Sequence, residues 1–237
     1  MKQENYIRGM IMIILSAFFF ACMNVSVRLA GDLPSVQKSF FRNLVAAFFA
    51  AIILIKNHTA PKVEKTQWGS LFLRCAFGTL GILCNFYAID HLLVADASIL
   101  NKLSPFFAII FSFLLLKEKI KPAQAMCVIL AFVGCLFVVK PGFENVHLIP
   151  ALIGVCGGLG AGIAYTMVRK MGTHGVKGPV IVFYFSCFSC IIVIPWIVFH
   201  YQPMSLRQLL TLLLAGLFAA GGQFTITAAY TYAPAGK

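Results

Sequence analysis

The chain consists of apolar blocks of about 20 residues that alternate with short polar segments. An α-helix rises about 1.5 Å per residue, so a block of this length crosses the ~30 Å hydrocarbon core of a bilayer. Of the 237 residues, 60% are hydrophobic and only 11% are charged. A soluble domain of this size needs far more polar surface. The sequence therefore predicts an all-α, polytopic helical membrane protein.

Eight spans are predicted, and no soluble domain is inserted between them. The first apolar run reaches about Leu29, which is longer than the apolar region of a signal peptide, so we interpret it as an uncleaved span. The predicted spans are 9–29, 39–55, 70–90, 95–116, 123–139, 148–168, 179–199 and 206–230.

Basic residues are concentrated on one side of these spans. If the spans alternate in direction, eleven lysines and arginines fall on the side of the N-terminus and four on the opposite side. This positive-inside bias predicts a cytoplasmic N-terminus and a multi-pass protein of the plasma (inner) membrane. The net charge of +12 does not indicate nucleic-acid binding, because the basic residues lie in short loops between spans.

The chain also repeats itself weakly. A shift of about 138 residues places 85–98 on 223–236, and Val27-Arg28 matches Val168-Arg169 under a slightly different shift. Spans one to three then correspond to spans six to eight. The first unit has five spans, and an odd number inverts the second copy. We therefore predict one five-helix repeat over 1–142 and a second over 143–237, truncated after its third helix.

This organisation supplies eight of ten expected helices. We expect the second unit to continue beyond Lys237 with two further spans, so the 237-residue chain alone is expected to be incomplete. Two chains that complete each other as a homodimer are the alternative.

The segment "ILNKLSP" (99–105) places a lysine inside span four. A mid-helix lysine costs roughly 2.5–3.5 kcal/mol on insertion scales. Pro105 has no N–H, so the carbonyl of Asn101 loses its helical partner. We predict that this cluster faces a wet cavity, where Lys102 contacts an anionic group of a substrate. The alternative is that Lys102 snorkels to the membrane surface.

Other polar residues within spans are candidates for the same cavity. Asn24 matches Tyr165 and Asn85 matches Gln223 under the repeat shifts, as a pseudo-symmetric cavity requires. Each of these residues alone is more often an interhelical hydrogen bond than a ligand. The predicted substrate-binding residues are Lys102, Asn101, Asn24, Asn85, Tyr87, Tyr165 and Gln223. Arg42 is interpreted as a packing or snorkelling residue and Arg74 as an interfacial anchor.

Three further patterns exclude other chemistry or predict packing. Gly154, Gly158 and Gly162 form overlapping G-x-x-x-G steps, which favour close helix packing. All eight cysteines lie in apolar blocks, where a thiol behaves as a small hydrophobe, so no metal site and no cofactor are predicted. No acidic residue lies in the middle of a span, so a buried carboxylate for proton coupling is not visible.

The segment 92–142, "LLVADASILNKLSPFFAIIFSFLLLKEKIKPAQAMCVILAFVGCLFVVKPG", resembles the drug/metabolite transporter superfamily of EamA type. The resemblance rests on small residues at the start of span four and on the following motifs: Leu-Ser-Pro at 103–105, Leu-Lys-Glu-Lys at 116–119, Gln124, Gly134 and the closing "KPG". Outside this segment, Arg42 in "FFRN" is similar to an arginine that the family often carries early in its second span. The resemblance implies ten helices in two inverted halves, a central cavity and alternating access. The chain departs from this pattern because helices nine and ten are absent.

The leading hypothesis is a secondary transporter or facilitator of a small polar metabolite, such as an amino-acid-like solute. An exporter of hydrophobic drugs is the alternative within transport, and a cavity of aromatic residues and Met without a cation would favour it. A non-transporting remnant or assembly partner is also consistent with the truncation. An intramembrane enzyme is disfavoured, because no nucleophile motif, metal-binding motif or paired carboxylate is present.

Overall fold

A computed structural model describes residues 2–117, 122–139 and 148–232, and these residues form a bundle of α-helices. The helices are α1 (Lys2–Leu29), α2 (Ser35–Lys56), α3 (Trp68–His91), α4 (Val94–Asn101), α5 (Ser104–Leu116), α6 (Pro122–Val139), α7 (Leu148–Thr173), α8 (Gly178–His200) and α9 (Leu206–Tyr232). The all-α prediction is confirmed.

Seven segments in the described part of the chain are long and apolar enough to span a membrane, with α4 and α5 counted together as Val94–Leu116. The predicted fifth span, 123–139, is helical as α6. Large apolar side chains cover the outside of the bundle; Ile55, for example, is 74% exposed and Phe199 82% exposed. An apolar surface of this extent requires lipid contact. A polytopic membrane protein is therefore confirmed.

Span four, predicted over 95–116, is found as one segment, Val94–Leu116, but its helix is interrupted. The helix α4 ends at Asn101, and α5 begins at Ser104 with Pro105 in its first turn. At the break, the Leu103 amide donates to the Leu100 carbonyl at 3.2 Å, a tighter turn than in an α-helix. The physical reason is Pro105, which cannot donate a hydrogen bond to the Asn101 carbonyl.

The central helix α7 packs against the break between α4 and α5 through one glycine face. A Cβ atom on Gly158 would lie 2.8 Å from the Leu100 carbonyl oxygen, and one on Gly162 would lie 3.0 Å from the Ser104 carbonyl oxygen. Only glycine permits so close an approach of two backbones. The packing role predicted for this glycine series is confirmed.

A second glycine face of α7 packs against α3. A Cβ atom on Gly157 would lie 3.2 Å from the Gly81 carbonyl oxygen, and one on Gly160 would lie 2.9 Å from the Phe77 carbonyl oxygen. The helix α7 thus holds α3 on one side and α4–α5 on the other.

The remaining helix pairs follow a regular scheme. The helix α1 packs along α9, α3 packs along α7, and α2 packs along α8. The inverted repeat would make α1, α2 and α3 equivalent to α7, α8 and α9. Under that equivalence the α1–α9 pair corresponds to the α7–α3 pair, and the α2–α8 pair corresponds to itself. The scheme is compatible with the inverted repeat, whose boundaries at 1–142 and 143–237 stay a prediction.

We expect Gly162→Ala to lower the free energy of unfolding by about 1–3 kcal/mol, because the added methyl group overpacks a filled interface. Its Cβ would collide with Cβ of Phe107 and lie 3.0 Å from the Ala108 amide nitrogen. The measurement is the thermal unfolding midpoint of the purified chain in detergent.

The matched control is Gly69→Ala in the first turn of α3, where nothing lies within 4 Å of an added Cβ. This change should leave the midpoint unchanged or raise it, since Ala is the better helix former. Equal effects of the two substitutions would contradict the packing assigned to α7.

Candidate functional site

A cavity of about 50 Å³ lies at the centre of the bundle, where residues from α1, α2, α3, α4, α7, α8 and α9 meet. A space of this size holds a few water molecules or part of a small ligand. The lining residues are Phe20, Met23, Arg42, Arg74, Gly78, Gly81, Ile82, Asn85, Phe86, Asn101, Ala161, Ala164, Tyr165, Phe185 and Gln223.

Arg74 extends from α3 into this cavity and is only 1% exposed. Its Nη2 donates a hydrogen bond to Oε1 of Gln223 on α9 at 2.9 Å. Its Cζ lies 3.8 Å from the ring centroid of Phe185 on α8, which is cation–π geometry. The guanidinium group is therefore held in place by an amide and an aromatic ring from two other helices.

Arg42 approaches the same ring from α2 and is also 1% exposed. Its Nη1 donates to Oδ1 of Asn43 at 2.6 Å, and its Cζ lies 5.9 Å from the Phe185 centroid. Because Cζ of Arg74 and Cζ of Arg42 lie 3.8 and 5.9 Å from the same ring centroid, the two guanidinium groups are less than about 10 Å apart. Phe185 is thus the shared contact of two buried cations.

These two charges have no acidic partner in the described ranges. The ion pair found there joins Lys38 to Asp90, near the ends of α2 and α3. At about 8 Å and an effective dielectric constant of about 20, two like charges repel by about 2 kcal/mol. Removing each charge from water adds a further cost. The cavity is therefore strongly electropositive.

Several polar atoms around the cavity have no hydrogen-bond partner within the described residues. They are Nε of Arg42, Nε of Arg74 and Oδ1 of Asn85. A buried polar atom left unpaired costs about 1–3 kcal/mol. Such atoms around a cavity indicate a place that water or a ligand fills.

Four of the residues predicted to bind substrate line this cavity: Asn85, Asn101, Tyr165 and Gln223. Tyr165 stacks on Tyr230 of α9, with ring centroids 5.0 Å apart. Asn85 and Gln223, which match under the repeat shift, both contribute to the lining. Substrate contact by these four residues stays a prediction.

The other three predicted residues lie elsewhere. Asn24 is buried and donates from Nδ2 to Oγ of Ser98 at 3.0 Å, so it joins α1 to α4. Tyr87 lies near the end of α3, where its ring stacks on His91 with centroids 4.0 Å apart. Lys102 is exposed at the break between α4 and α5 and is not among the lining residues. Of the Asn101–Lys102 cluster, Asn101 lines this cavity and Lys102 does not, and substrate contact by Lys102 stays a prediction.

Sequence reasoning missed the two arginines. Arg42 does not snorkel and Arg74 is not an interfacial anchor, because both side chains are buried at the centre of the bundle. The packing role that was the other interpretation of Arg42 agrees with its contact with Phe185. One available signal was Gly78, one turn after Arg74. A Cβ atom on Gly78 would overlap Nη1 of Arg74 and lie 2.7 Å from Cε2 of Phe185. This glycine leaves room for the guanidinium group against the ring.

One face of the bundle is tied together by polar contacts between helix ends. Lys38 pairs with Asp90, and Oγ of Ser35 donates to Oδ2 of Asp90 at 2.8 Å. Nη1 of Arg28, at the end of α1, donates to the carbonyls of Ile89 and Asp90 at 2.8 and 2.9 Å. These contacts join α1, α2 and the end of α3.

A related contact lies on the opposite face. Nη1 of Arg169, near the end of α7, donates to the carbonyl of Thr231 near the end of α9 at 3.4 Å. Arg28 and Arg169 are the residues that the repeat matches. Each arginine bonds the last turn of a helix, where carbonyl groups lack helical partners and carry partial negative charge.

Comparison with known proteins gives one family and several relatives. Residues 7–140 match the model of the EamA-like transporter family. The pseudopaline exporter CntI of Pseudomonas aeruginosa strain UCBPP-PA14 is 32% identical over 229 residues, which are 94% of this chain and 78% of that protein. A riboflavin transporter of Brucella anthropi is 25% identical over 91% of this chain and 78% of that protein.

More distant similarities extend over most of the chain. Human solute carrier family 35 member G1 is 27% identical over 96% of this chain and 66% of that protein. A solved crystal structure superposes with a TM-score of 0.70 over 96% of this chain and 79% of that chain, at 15% identity. At 15% identity, this superposition shows similarity of fold alone.

A double-mutant cycle between Gly78 and Arg74 tests the cavity geometry. We expect Gly78→Ala to destabilise the chain by about 1–3 kcal/mol, because its methyl group overlaps the guanidinium group. In an Arg74→Gln background the overlap is smaller, so Gly78→Ala should cost about 1 kcal/mol less than in the unmodified chain. The measurement is the free energy of unfolding in detergent of the unmodified chain, the two single variants and the double variant. Strictly additive effects would show that Arg74 does not occupy this position.

Proposed function

Because this chain belongs to the EamA-like transporter family, a family of small-molecule transporters, we propose that it moves a small polar organic solute across the plasma membrane through its central cavity. It acts as a secondary transporter or facilitator. The observation that carries this proposal is the cavity itself, which lies between seven helices and is lined by buried polar side chains, three of which have an atom without a partner among the described residues.

The lining favours a polar solute over a hydrophobic drug. Phe20, Met23 and Phe86 provide apolar contacts that would suit a drug. A drug pocket, however, gains nothing from two desolvated arginines, because burying them costs several kcal/mol without a polar ligand. The names of two relatives, a pseudopaline exporter and a riboflavin transporter, also favour a small organic solute.

Alternating access is the mechanism that best fits the two faces of the bundle. Such a carrier exposes one central site to either side by opening one face while the other stays closed. Arg28 and Arg169 join helix ends on opposite faces. We infer that they act as the two gates, related by the inverted repeat. Association of two chains as a homodimer stays a prediction.

Transport is tested in proteoliposomes filled with a small-molecule extract of bacterial cells, in which the loss of each solute is followed by mass spectrometry. We expect one solute or one class of solutes to leave faster than from protein-free liposomes. Arg74→Gln and Arg42→Gln should each reduce this flux at least tenfold, since a charge-assisted hydrogen bond is worth about 1.5–3 kcal/mol.

Two exposed lysines supply the controls. Lys62→Gln changes a loop residue, and Lys102→Gln changes the residue that the sequence placed in the cavity. Both should retain flux near that of the unmodified chain. Loss of flux in Lys102→Gln would restore the prediction that Lys102 contacts the substrate. Absence of any protein-dependent flux would favour the non-transporting alternative.

The cytoplasmic N-terminus is a separate proposal, supported by the excess of basic residues in alternate loops. Reporter fusions after Lys62 and Lys177 should give a cytoplasmic signal, and a fusion after His91 should give an external one. All three residues are exposed at helix ends or in loops. A cytoplasmic signal at His91 would contradict both the orientation and the order of the spans.

A further inference from the structure

We propose that the solute carries an anionic group, of carboxylate or phosphate type, which binds between Arg42 and Arg74. This inference rests on the proposed transport function and names the class of solute that the same cavity takes.

The first argument is charge balance. Arg42 and Arg74 place two positive charges at one cavity, and each side chain is only 1% exposed. The described residues provide neither arginine with an ion pair, and no acidic residue lies in the middle of any span of the sequence. The described part of the chain therefore supplies no counter-charge to either arginine. A bound anion supplies it, and a neutral solute does not.

The second argument is the arrangement of the donors. The Nε atoms of Arg42 and Arg74 are buried and lack partners among the described residues. The planar guanidinium group matches the oxygen pairs of a carboxylate or phosphate through two parallel hydrogen bonds. Gln223 occupies only Nη2 of Arg74 and Asn43 only Nη1 of Arg42, so further N–H groups remain for a ligand.

The lining also offers an acceptor. Oδ1 of Asn85 is buried without a partner in the part of the chain that the structure describes. A hydroxyl or ammonium group on the solute would satisfy it. The cavity is thus suited to a small anion that also carries a hydrogen-bond donor.

A purely structural role for the arginines makes a different prediction. Arg74 already has a hydrogen bond to Gln223 and a contact with Phe185, which could simply hold α3, α8 and α9 together. The variant Gln223→Glu separates the two roles. It keeps the shape and the hydrogen bond but adds a fixed negative charge beside Arg74. A structural role then predicts higher stability and nothing more, whereas an anion site also predicts weaker anion binding.

The binding experiment uses three four-carbon probes of similar length: succinate, its neutral diamide succinamide, and the dication putrescine. Glycerol phosphate is added to distinguish phosphate from carboxylate. Stabilisation of the purified full chain against thermal unfolding is measured at fixed chloride concentration. We expect an anion, succinate or glycerol phosphate, to bind roughly 10- to 100-fold more tightly than succinamide, and putrescine not to bind.

The variants locate the effect. Arg42→Gln and Arg74→Gln should lose at least tenfold in anion affinity, and Lys102→Gln should lose none. If either arginine variant does not fold, Gln223→Glu still provides the test: a raised unfolding midpoint together with at least tenfold weaker anion binding. Equal binding of succinate and succinamide, or anion binding that Gln223→Glu leaves unchanged, would overturn the proposal.

Flux from the extract-filled liposomes separates this inference from the transport function. Protein-dependent flux of neutral or cationic solutes only would overturn the anion site and leave transport intact. Arginine-dependent anion binding without any flux would support the anion site and overturn transport. Flux of anionic solutes that is lost in Gln223→Glu supports both.

Discussion

The backbone of α7 is the feature on which the rest of the bundle depends. Glycines on two of its faces let α3 and the α4–α5 break approach so closely that an added Cβ atom would lie 2.8–3.2 Å from their carbonyl oxygens. In a bilayer no hydrophobic force draws helices together, so dispersion between closely packed backbones has to supply the attraction. This packing also brings Asn85, Asn101 and Tyr165 from three helices to one cavity. The glycine faces of α7 therefore determine both the packing of the bundle and the position of the cavity residues.

The cavity that results is unusual in its charge. Lipid cannot satisfy a polar group, so a membrane protein normally pairs its buried cations with its own carboxylates. Arg42 and Arg74 instead share an aromatic ring and two amides, which hold the guanidinium groups without neutralising them. The arrangement makes the site pre-organised and electropositive. Under the proposed anion site, a ligand that brings the missing charge needs no rearrangement of these side chains.

Much of the fold could be predicted from local pattern, and the site only in part. Apolar length defines a span independently of its neighbours, and the glycine spacing of α7 reports packing directly. Of the break after Asn101, the sequence predicts the hydrogen bond that is lost at Pro105, but it does not predict how far the chain turns there. That turn decides the exposure of Lys102. The arginines were missed because an arginine within about two turns of a span end can reach either the membrane surface or the bundle interior. Only the helix neighbours, here Phe185 and Gln223, decide between the two.

Both faces of the bundle are closed by contacts between side chains and helix ends. On one face Arg28 bonds the last turn of α3, and buried Lys38 pairs with Asp90. On the other face Arg169 bonds the last turn of α9. If the proposed carrier opens the Arg28 face, the ion pair between Lys38 and Asp90 has to separate, and each charge then needs a new shell of water. The water that enters through the opening would supply that shell, so hydration of the passage and separation of the helices would occur together.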